Sequence, residues 1–426
     1  MSKERVQFLH NEAPGAPEIF SRDQHCISRS DIDPDALKIL YRLHQHGFKA
    51  FLVGGGVRDL LLQKKPKDFD ISTDATPKQI KNLFRNCRII GRRFKLAHIF
   101  FHGNKIIEVS TFRASGNGDD ALETPAAGSS LSVSDNVFGD EETDALRRDI
   151  TINGLFYDIA SFSVIDYVGG MHDLENGVVR IIGDPDTRFK EDPVRMLRVI
   201  RHAVRAGFRI DKTTWEALVR LRDLICDVPP MRIYEEIKKD LIGGRSLEIL
   251  RALRRAELLE LLLPALDAGP MEILSHRSAL AHSLEHLDAQ IVAGVIESPV
   301  TVMLAVMVYH GGGGDEGENS VNEIIHTFFR ELAVPKKEKE RIAQIMVDWG
   351  VLLAADAEAL KPSLLKRRSS VNELLIFVEA IAPEREDILS MLQASRRADV
   401  HAVARERRDS RGERSRPRNY RSRQAR

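Results

Sequence analysis

The sequence predicts an α+β protein, in which an N-terminal module of mixed strands and helices is followed by a long all-helical part. Five short apolar or alternating segments between residues 49 and 112 are typical of strands, and helical patterns separate some of them. From residue 191 onward, nearly every apolar pattern has the helical period. At 426 residues the chain is long enough for two or three domains.

The composition indicates an ordinary globular protein in a reducing compartment. Hydrophobic residues make up 43% of the chain and charged residues 30%. Three separated cysteines, Cys26, Cys87 and Cys226, support neither a disulfide framework nor a zinc site. No apolar run reaches membrane-spanning length and the N-terminus lacks a signal-type apolar core, so we expect a cytoplasmic protein without membrane contact.

The elements follow from local signals. Asp33 and Pro34 form a cap and first-turn pair for a helix that Gly47 closes. Thr76 and Pro77 begin a second helix, and "VRDLLL" forms a short one between two strands. The predicted strands are 49–54, 68–72, 87–90, 96–101 and 105–112.

Composition also suggests where the domains divide. Residues 1–30 are expected to be a flexible arm, 31–170 the α/β module, 171–265 a first helical domain and 266–392 a second. Residues 393–426 form an arginine-rich tail that should be disordered unless a polyanion binds it. The Gly-, Ser- and Asp-rich stretch from Arg113 to Asp140 is predicted to be a long loop, and loops of this length usually have a function.

Asp68 and Asp70 are the first candidate site. Residues two apart in a strand face the same way, so the two carboxylates would lie side by side, as a divalent cation requires. A solvated turn is the commoner explanation of such a pair taken alone. Gly54 and Gly55, between a strand and a helix, could receive phosphate oxygens with Arg58 nearby. Glu108, in an otherwise apolar strand, could complete a metal shell.

Four stretches, "GGGVRDLLL...KDFDIST", "EVSTFR", "RRDITINGL" and "EDPVRMLRVIR", resemble in order and spacing the motifs of class II nucleotidyltransferases. This family comprises bacterial poly(A) polymerases and CCA-adding tRNA nucleotidyltransferases. The likeness covers about residues 27–265 and implies a palm of the DNA polymerase β superfamily, followed by a helical neck and body. The neck would be the domain 171–265, which binds nucleotide and RNA.

The resemblance implies roles for the carboxylates and glycines. Asp68, Asp70 and Asp149 are similar to the catalytic aspartates, and Glu108 joins Asp68 and Asp70 as a metal ligand for two Mg²⁺ ions, which Mn²⁺ could replace. The RNA 3′-hydroxyl would attack the α-phosphate of ATP and release pyrophosphate. The nucleotide-binding residues implied are Gly54, Gly55, Arg58, Arg147, Asp149, Asn153, Asp192, Arg195 and Arg198.

Two of these motifs have a structural alternative. In "RRDITING", Asp149 and Asn153 would contact the ribose, and Arg147 or Arg148 the phosphates; alternatively Asp149 only caps a helix. In "EDPVR", Asp192 and Arg195 would pair with the Watson–Crick edge of the base, since residues three apart share a helical face. The alternative there is a surface ion pair.

The stretch "IIGRRFKLAHI" resembles the pattern of bacterial poly(A) polymerases, whereas CCA-adding relatives tend to have Gly-Thr after the Phe. A basic hairpin is its structural alternative. The resemblance therefore implies template-independent polyadenylation of RNA 3′ ends from ATP, with RNA-decay machinery as a candidate partner. CCA-adding, or partial CC- or A-adding, activity and a catalytically silent RNA-binding adaptor are the alternatives. The motif residues are Gly91, Arg92, Arg93, Phe94, Lys95, Leu96 and His98.

Overall fold

The computed structural model divides the chain into two compact units, residues 1–221 and 222–426. The structure describes residues 16–91, 95–114, 138–267, 273–275, 277–296, 299–312, 318–355 and 371–397. Arg92, Arg93 and Phe94 of the poly(A)-type motif, most of the Gly-, Ser- and Asp-rich stretch and nearly all of the arginine-rich tail lie outside these residues.

An eight-stranded sheet organises the first unit, and its strand order is β1-β8-β7-β2-β3-β6-β5-β4. Neighbouring strands are antiparallel except β3 and β6, which are parallel. The strands are β1 Glu18–Phe20, β2 Ala50–Val53, β3 Asp70–Thr73, β4 Cys87–Ile90, β5 Leu96–Phe100, β6 Ile106–Thr111, β7 Leu155–Asp158 and β8 Ser163–Asp166.

Several α-helices in the described part of the first unit begin at capping residues of the sequence. Asp33 caps α1, and Thr76 forms a capping box with Gln79 at the start of α3. A small parallel pair, β9 Val178–Val179 and β10 Arg209–Ile210, lies apart from the main sheet. The helices are α1 Pro34–Gln45, α2 Gly55–Leu61, α3 Pro77–Leu83, α4 Glu141–Leu146, α5 Gly170–Glu175, α6 Pro185–Glu191, α7 Arg195–Ala206 and α8 Lys212–Arg220.

Apolar side chains of the sheet and its helices form the core of the first unit. Leu52, Ile71 and Val109 belong to the central strands and are almost completely buried. They cluster with residues of α1 such as Ile39 and Leu43. Because helices and central strands bury their apolar faces against each other, the strand ends that carry polar side chains are held in fixed positions.

The second unit is helical throughout the part that the structure describes. Its most apolar helix, α14, is buried along nearly its whole length. None of the described helices is both long and apolar enough to cross a membrane. The helices are α9 Pro230–Leu241, α10 Ser246–Arg255, α11 Leu259–Leu262, α12 Pro264–Asp267, α13 Ala279–Val292, α14 Val300–Gly311, α15 Glu318–Phe328, α16 Lys336–Ala354 and α17 Val371–Ile381, with a further helix over 386–397.

The predicted α+β class is confirmed, and three local expectations need correction. Residues 18–20, in the predicted flexible arm, form β1, because pairing with β8 satisfies their backbone groups. β3 begins at Asp70 and leaves Asp68 outside the strand. Asp192 caps the end of α6 in an extended conformation, and α7 begins only at Arg195, so the two do not share a helical face.

Candidate active site

A cavity of about 590 Å³ lies over one end of the central strands in the first unit. The end of β2, the starts of β3 and α2, the middle of β6 and one face of α7 all contribute to its wall. Most of the predicted site residues therefore meet in one place, although they are spread over about 150 positions of sequence. Its lining includes Gly54, Gly55, Asp70, Leu96, Glu108, Arg147, Arg148, Asp149, Asn153 and Arg198 from the predicted set, together with Val53, Ile71, Ser110, Arg113, Arg201 and His202.

Asp70 and Glu108 come from neighbouring parallel strands. Ile71 of β3 is paired with Val109 of β6, and this register places the two preceding residues, Asp70 and Glu108, side by side. Reduced hydration in the cavity wall, and then the negative charges of Glu108 and Asp68, raise the pKa of Asp70 to about 6, although Arg148 opposes them. A poorly hydrated carboxylate that lies beside a second one favours a bound cation, which relieves the repulsion between their charges.

Asp68 lies just before β3 and is not among the cavity-lining residues, but its charge acts on Asp70. Across the described residues, no three His, Cys, Asp or Glu side chains are arranged to enclose a metal ion by themselves. Mg²⁺ is commonly bound through one or two carboxylates, with phosphate and water oxygens completing its shell. The Asp70 and Glu108 pair fits that kind of site.

The raised pKa predicts that Asp70→Asn stabilises the metal-free protein. A carboxyl group whose pKa rises from 3.8 to about 6 on folding binds protons more tightly in the folded state, so stability falls as pH rises through this interval. The neutral amide removes this loss. In EDTA, we expect a higher melting temperature for the variant at pH 8 and a shrinking difference between pH 6 and pH 4. A difference that does not change with pH would contradict the raised pKa.

Arg58 does not line the cavity, but it organises residues that do. Its Nη1 donates to Oδ1 of Asn153 at 2.8 Å and to Nδ1 of His202 at 3.3 Å, and its other nitrogens bind Asp59. Burial, followed by the nearby arginines, lowers the pKa of His202 well below its usual value, so the ring is neutral and can accept this bond. Whether Arg58 also contacts a triphosphate stays a prediction.

Asp149 is held between two arginines of α7. Nε of Arg195 donates to its Oδ1 at 3.0 Å, and Nη1 of Arg198 donates to its Oδ2. Burial alone would raise the pKa of Asp149, but Arg198 and Arg195 outweigh burial and lower it. Ile150, not Asp149, precedes the short 3₁₀ turn over 151–153, and that turn has no side-chain cap. Asp149 is therefore an ionised acceptor at the cavity wall.

Arg195 makes two further contacts that fix its guanidinium. Nη1 donates to the carbonyl oxygen of Arg188 at 2.8 Å and to Oε2 of Glu191 at 3.0 Å. Asp192 accepts from the backbone N–H of Val194. The break between α6 and α7 thus places Asp192 and Arg195 close together by a turn, where the sequence predicted one continuous helix.

The described part of the poly(A)-type motif borders the carboxylate pair. Gly91 follows β4 with a φ of 87°, a conformation that favours glycine. Leu96 lines the cavity, whereas Lys95 is exposed. His98 of β5 is the direct cross-strand partner of Glu108, with Nε2 3.1 Å from Oε1. The motif is therefore connected to the site through the β5–β6 pairing.

Sequence reasoning missed several residues of the wall. Arg113 ends the "EVSTFR" stretch that was singled out only for Glu108, and His202 lies four positions after Arg198 on α7. The i to i+4 spacing from a predicted binding residue could have identified His202. Asp144, which contacts both Arg147 and Arg148, has no comparable signal, because an acidic residue in a short, strongly acidic helix usually faces solvent.

Comparison with known proteins gives concordant matches. The family model "Poly A polymerase head domain" matches residues 50–180, and the model "Probable RNA and SrmB-binding site of polymerase A" matches residues 207–269. A Salmonella typhi protein named Poly(A) polymerase I is 43% identical over 336 residues, which cover 75% of this chain and 72% of that protein.

CCA-adding enzymes are similar over less of the chain or at lower identity. One from Bacillus pumilus is 37% identical over 213 residues, half of each chain. A crystal structure of the Bacillus stearothermophilus CCA-adding enzyme in complex with CTP matches with a TM-score of 0.63 and 23% identity, covering 85% of this chain and 82% of that one. At that identity the match shows a shared fold.

Proposed function

The chain belongs to the bacterial poly(A) polymerase family of class II nucleotidyltransferases, and from this we propose that it adds AMP from ATP to RNA 3′ ends without a template. It is then a polynucleotide adenylyltransferase that releases pyrophosphate. The observation that carries this proposal is the cavity in which Asp70 and Glu108 lie opposite a group of arginines. We further propose that the products are RNAs marked for decay.

The carboxylate oxygens of Asp70 and Glu108 line the cavity, and such hard oxygen donors suit Mg²⁺ better than a softer metal. We propose that Asp68, Asp70 and Glu108 would hold two such ions together with the phosphates of the nucleotide. When bound, Mg²⁺ supplies Lewis-acid activation of the attacking hydroxyl and neutralises charge on the departing pyrophosphate.

The remaining wall residues provide binding and orientation. Arg147 and Arg148 offer forked donors suited to phosphate oxygens, and the bare backbone at Gly54 and Gly55 allows close approach to the start of α2. Ionised Asp149 can accept a hydrogen bond from a ribose hydroxyl. Positioning of this kind accounts for most catalysis in phosphoryl-group chemistry, because little of the bond rearrangement needs a protein nucleophile.

The base of the incoming nucleotide would be read by the turn between α6 and α7. We propose that Asp192 and Arg195 supply an acceptor and a donor fork for the Watson–Crick edge of adenine.

Asn153 accepts a hydrogen bond from Arg58 through its Oδ1, and this leaves its amide N–H groups to face a nucleotide hydroxyl.

Gly54→Ala should impair nucleotide use beyond its effect on stability. Gly54 has a φ of 72°, and a Cβ there would lie 3.2 Å from Nη1 of Arg148. We expect a loss of about 1–3 kcal/mol in the free energy of unfolding from backbone strain, together with a raised KM for ATP from displacement of Arg148. Gly47→Ala is the matched control, because Gly47 also has a positive φ but open space around its Cβ position. Equal KM values for the two variants would contradict the proposed contact.

The polymer made by the purified protein tests the proposed function. An RNA oligonucleotide unrelated to tRNA, Mg²⁺ and each labelled nucleotide in turn should yield long tails with ATP alone. A tRNA lacking its 3′ end, supplied with CTP and ATP, distinguishes the CCA-adding alternative: addition limited to C, C and A there, with none on the oligonucleotide, would overturn the proposal. Absence of extension on both RNAs would favour the silent adaptor.

A further inference from the structure

Asp144 is a buried carboxylate beside the cavity and is none of the residues that the sequence motifs single out. It lies on α4, and its side chain has no exposed surface. Its Oδ1 accepts from Nε and Nη2 of Arg147 at 2.8 and 2.6 Å, and its Oδ2 accepts from Nη2 of Arg148 at 2.9 Å. One carboxylate thus holds both Arg147 and Arg148, which line the cavity.

Two other segments of the first unit also donate hydrogen bonds to Asp144. The backbone N–H of Arg113, at the end of β6, donates to Oδ1 at 3.3 Å. Ser72 of β3 donates to Oδ2 at 3.4 Å and accepts from Nη2 of Arg148 at 3.2 Å. Asp144 is therefore tied to the same two strands that carry Asp70 and Glu108, so the arginines and the carboxylate pair are held in one frame.

Charge balance indicates why a buried acid is needed here. Arg113, Arg147 and Arg148 all line the cavity near Asp144. Burial alone would raise the pKa of Asp144, but Arg148 and Arg147 outweigh burial and lower it, so the group stays ionised. The lining holds five arginines against the three acids Asp70, Glu108 and Asp149, so even with Asp144 the wall keeps an excess of positive charge, which suits an anionic ligand.

Arg148 also lies close to the carboxylate that would bind metal. Its Nη1 and Oδ2 of Asp70 lie 3.2 and 3.9 Å, respectively, from a single point, the position that a Cβ on Gly54 would occupy. An arginine released at this place could pair with Asp70, on which its charge already acts. A direct Arg148–Asp70 pair would remove a phosphate donor and a metal ligand together.

We propose that Asp144 is a positioning residue that holds Arg147 and Arg148 as a preformed clamp for the triphosphate and keeps Arg148 from pairing with Asp70. This inference rests on the proposed function, because it assigns the clamp to ATP. Preorganised forked donors bind phosphate more strongly than freely rotating ones, since their rotamers are already fixed.

Asp144→Asn tests the proposal by equilibrium binding of α,β-methylene-ATP with Mg²⁺, measured by calorimetry. Loss of charge-assisted bonds should raise the dissociation constant on the order of tenfold, with binding of an RNA oligonucleotide unchanged. Asp166→Asn is the matched control: Asp166 is also buried, but it accepts from the backbone N–H groups of Val168, Gly170 and Met171, away from the cavity. Equal weakening in both variants, or none in Asp144→Asn, would overturn the proposal.

Ser72→Ala keeps the test decisive if Asp144→Asn does not fold. It removes one acceptor of Arg148 without leaving a buried charge unpaired, and we expect about threefold weaker binding of the analogue. Unchanged binding would count against the clamp. Wild-type protein that neither binds the analogue nor extends RNA would contradict the proposed function. Active wild-type protein, with variants that bind the analogue as tightly as wild type, would contradict only the role of Asp144.

Discussion

Asp70→Asn should reduce RNA extension by about 10³-fold or more, because it removes a carboxylate from the proposed metal site. Glu108 remains across the β3–β6 pair, but the neutral amide cannot hold a cation with it. Binding of RNA should stay near the wild-type level, since the basic surfaces are untouched. Single-turnover extension with saturating ATP, beside an RNA binding titration, measures both quantities.

Asp74→Asn is the matched control for this loss. Asp74 directly follows β3 at its other end, where it accepts from the backbone N–H of Lys49, and it does not line the cavity. Its substitution should leave extension unchanged. Asp68→Asn tests whether Asp68, which lies outside the cavity lining, is a metal ligand. A loss of extension as large as that of Asp70→Asn would support a ligand role, whereas wild-type activity would contradict it.

Asp70→Asn is expected to raise the stability of the metal-free protein and to lower its rate of RNA extension, and the two effects are physically consistent. The same reduced hydration, together with the nearby carboxylates, that raises the pKa of Asp70 opposes folding without metal and favours cation binding. Active sites often retain such unfavourable groups, at a cost in stability. A variant that is more stable and inactive would therefore identify the carboxylate pair as functional, whereas loss of both properties would indicate a merely structural role.

The sequence was sufficient to predict most of the fold of the first unit and most of the cavity wall. Capping residues such as Asp33 and Thr76 act locally, so the helices they begin could be predicted. Strand order could not be derived from such signals. The adjacency of Asp70 and Glu108 depends on the parallel register of β3 and β6, and here the resemblance to a known family supplied what local patterns lacked.

The errors share one physical origin, which is tertiary structure overriding a local pattern. The spacing of Asp192 and Arg195 is helical, yet the chain turns between α6 and α7 so that Arg195 can reach Asp149, 46 positions earlier. The contacts of Arg58 with Asn153 and His202 likewise could not be read from its position in the sequence, and its expected contact with the triphosphate stays a prediction. Long-range polar contacts of this kind have no periodicity, and only the folded arrangement reveals them.

Arg195→Ala should relax the choice of nucleotide. If its fork reads adenine, the ratio of kcat/KM for ATP to that for CTP should fall by about 10- to 100-fold, because the variant loses donors that discriminate between bases. The rate with ATP should also fall, since Asp149 would lose one of the two α7 arginines that hold its carboxylate. Extension of one RNA with each nucleotide separately measures the ratio.

Two further variants decide whether recognition depends on the fork of Arg195 or only on its charge. Arg195→Lys keeps the positive charge near Asp149 but cannot present paired donors, so it should restore the rate with ATP more than the preference for ATP. Arg220→Ala removes an exposed arginine that pairs with Asp186 on α6, and it should change neither quantity. If Arg195→Lys restores both the rate with ATP and the preference for ATP, the charge of residue 195 is sufficient. If Arg195→Ala keeps the wild-type ratio of kcat/KM for ATP to that for CTP, other residues select the base, and Arg195 serves to hold Asp149 in place.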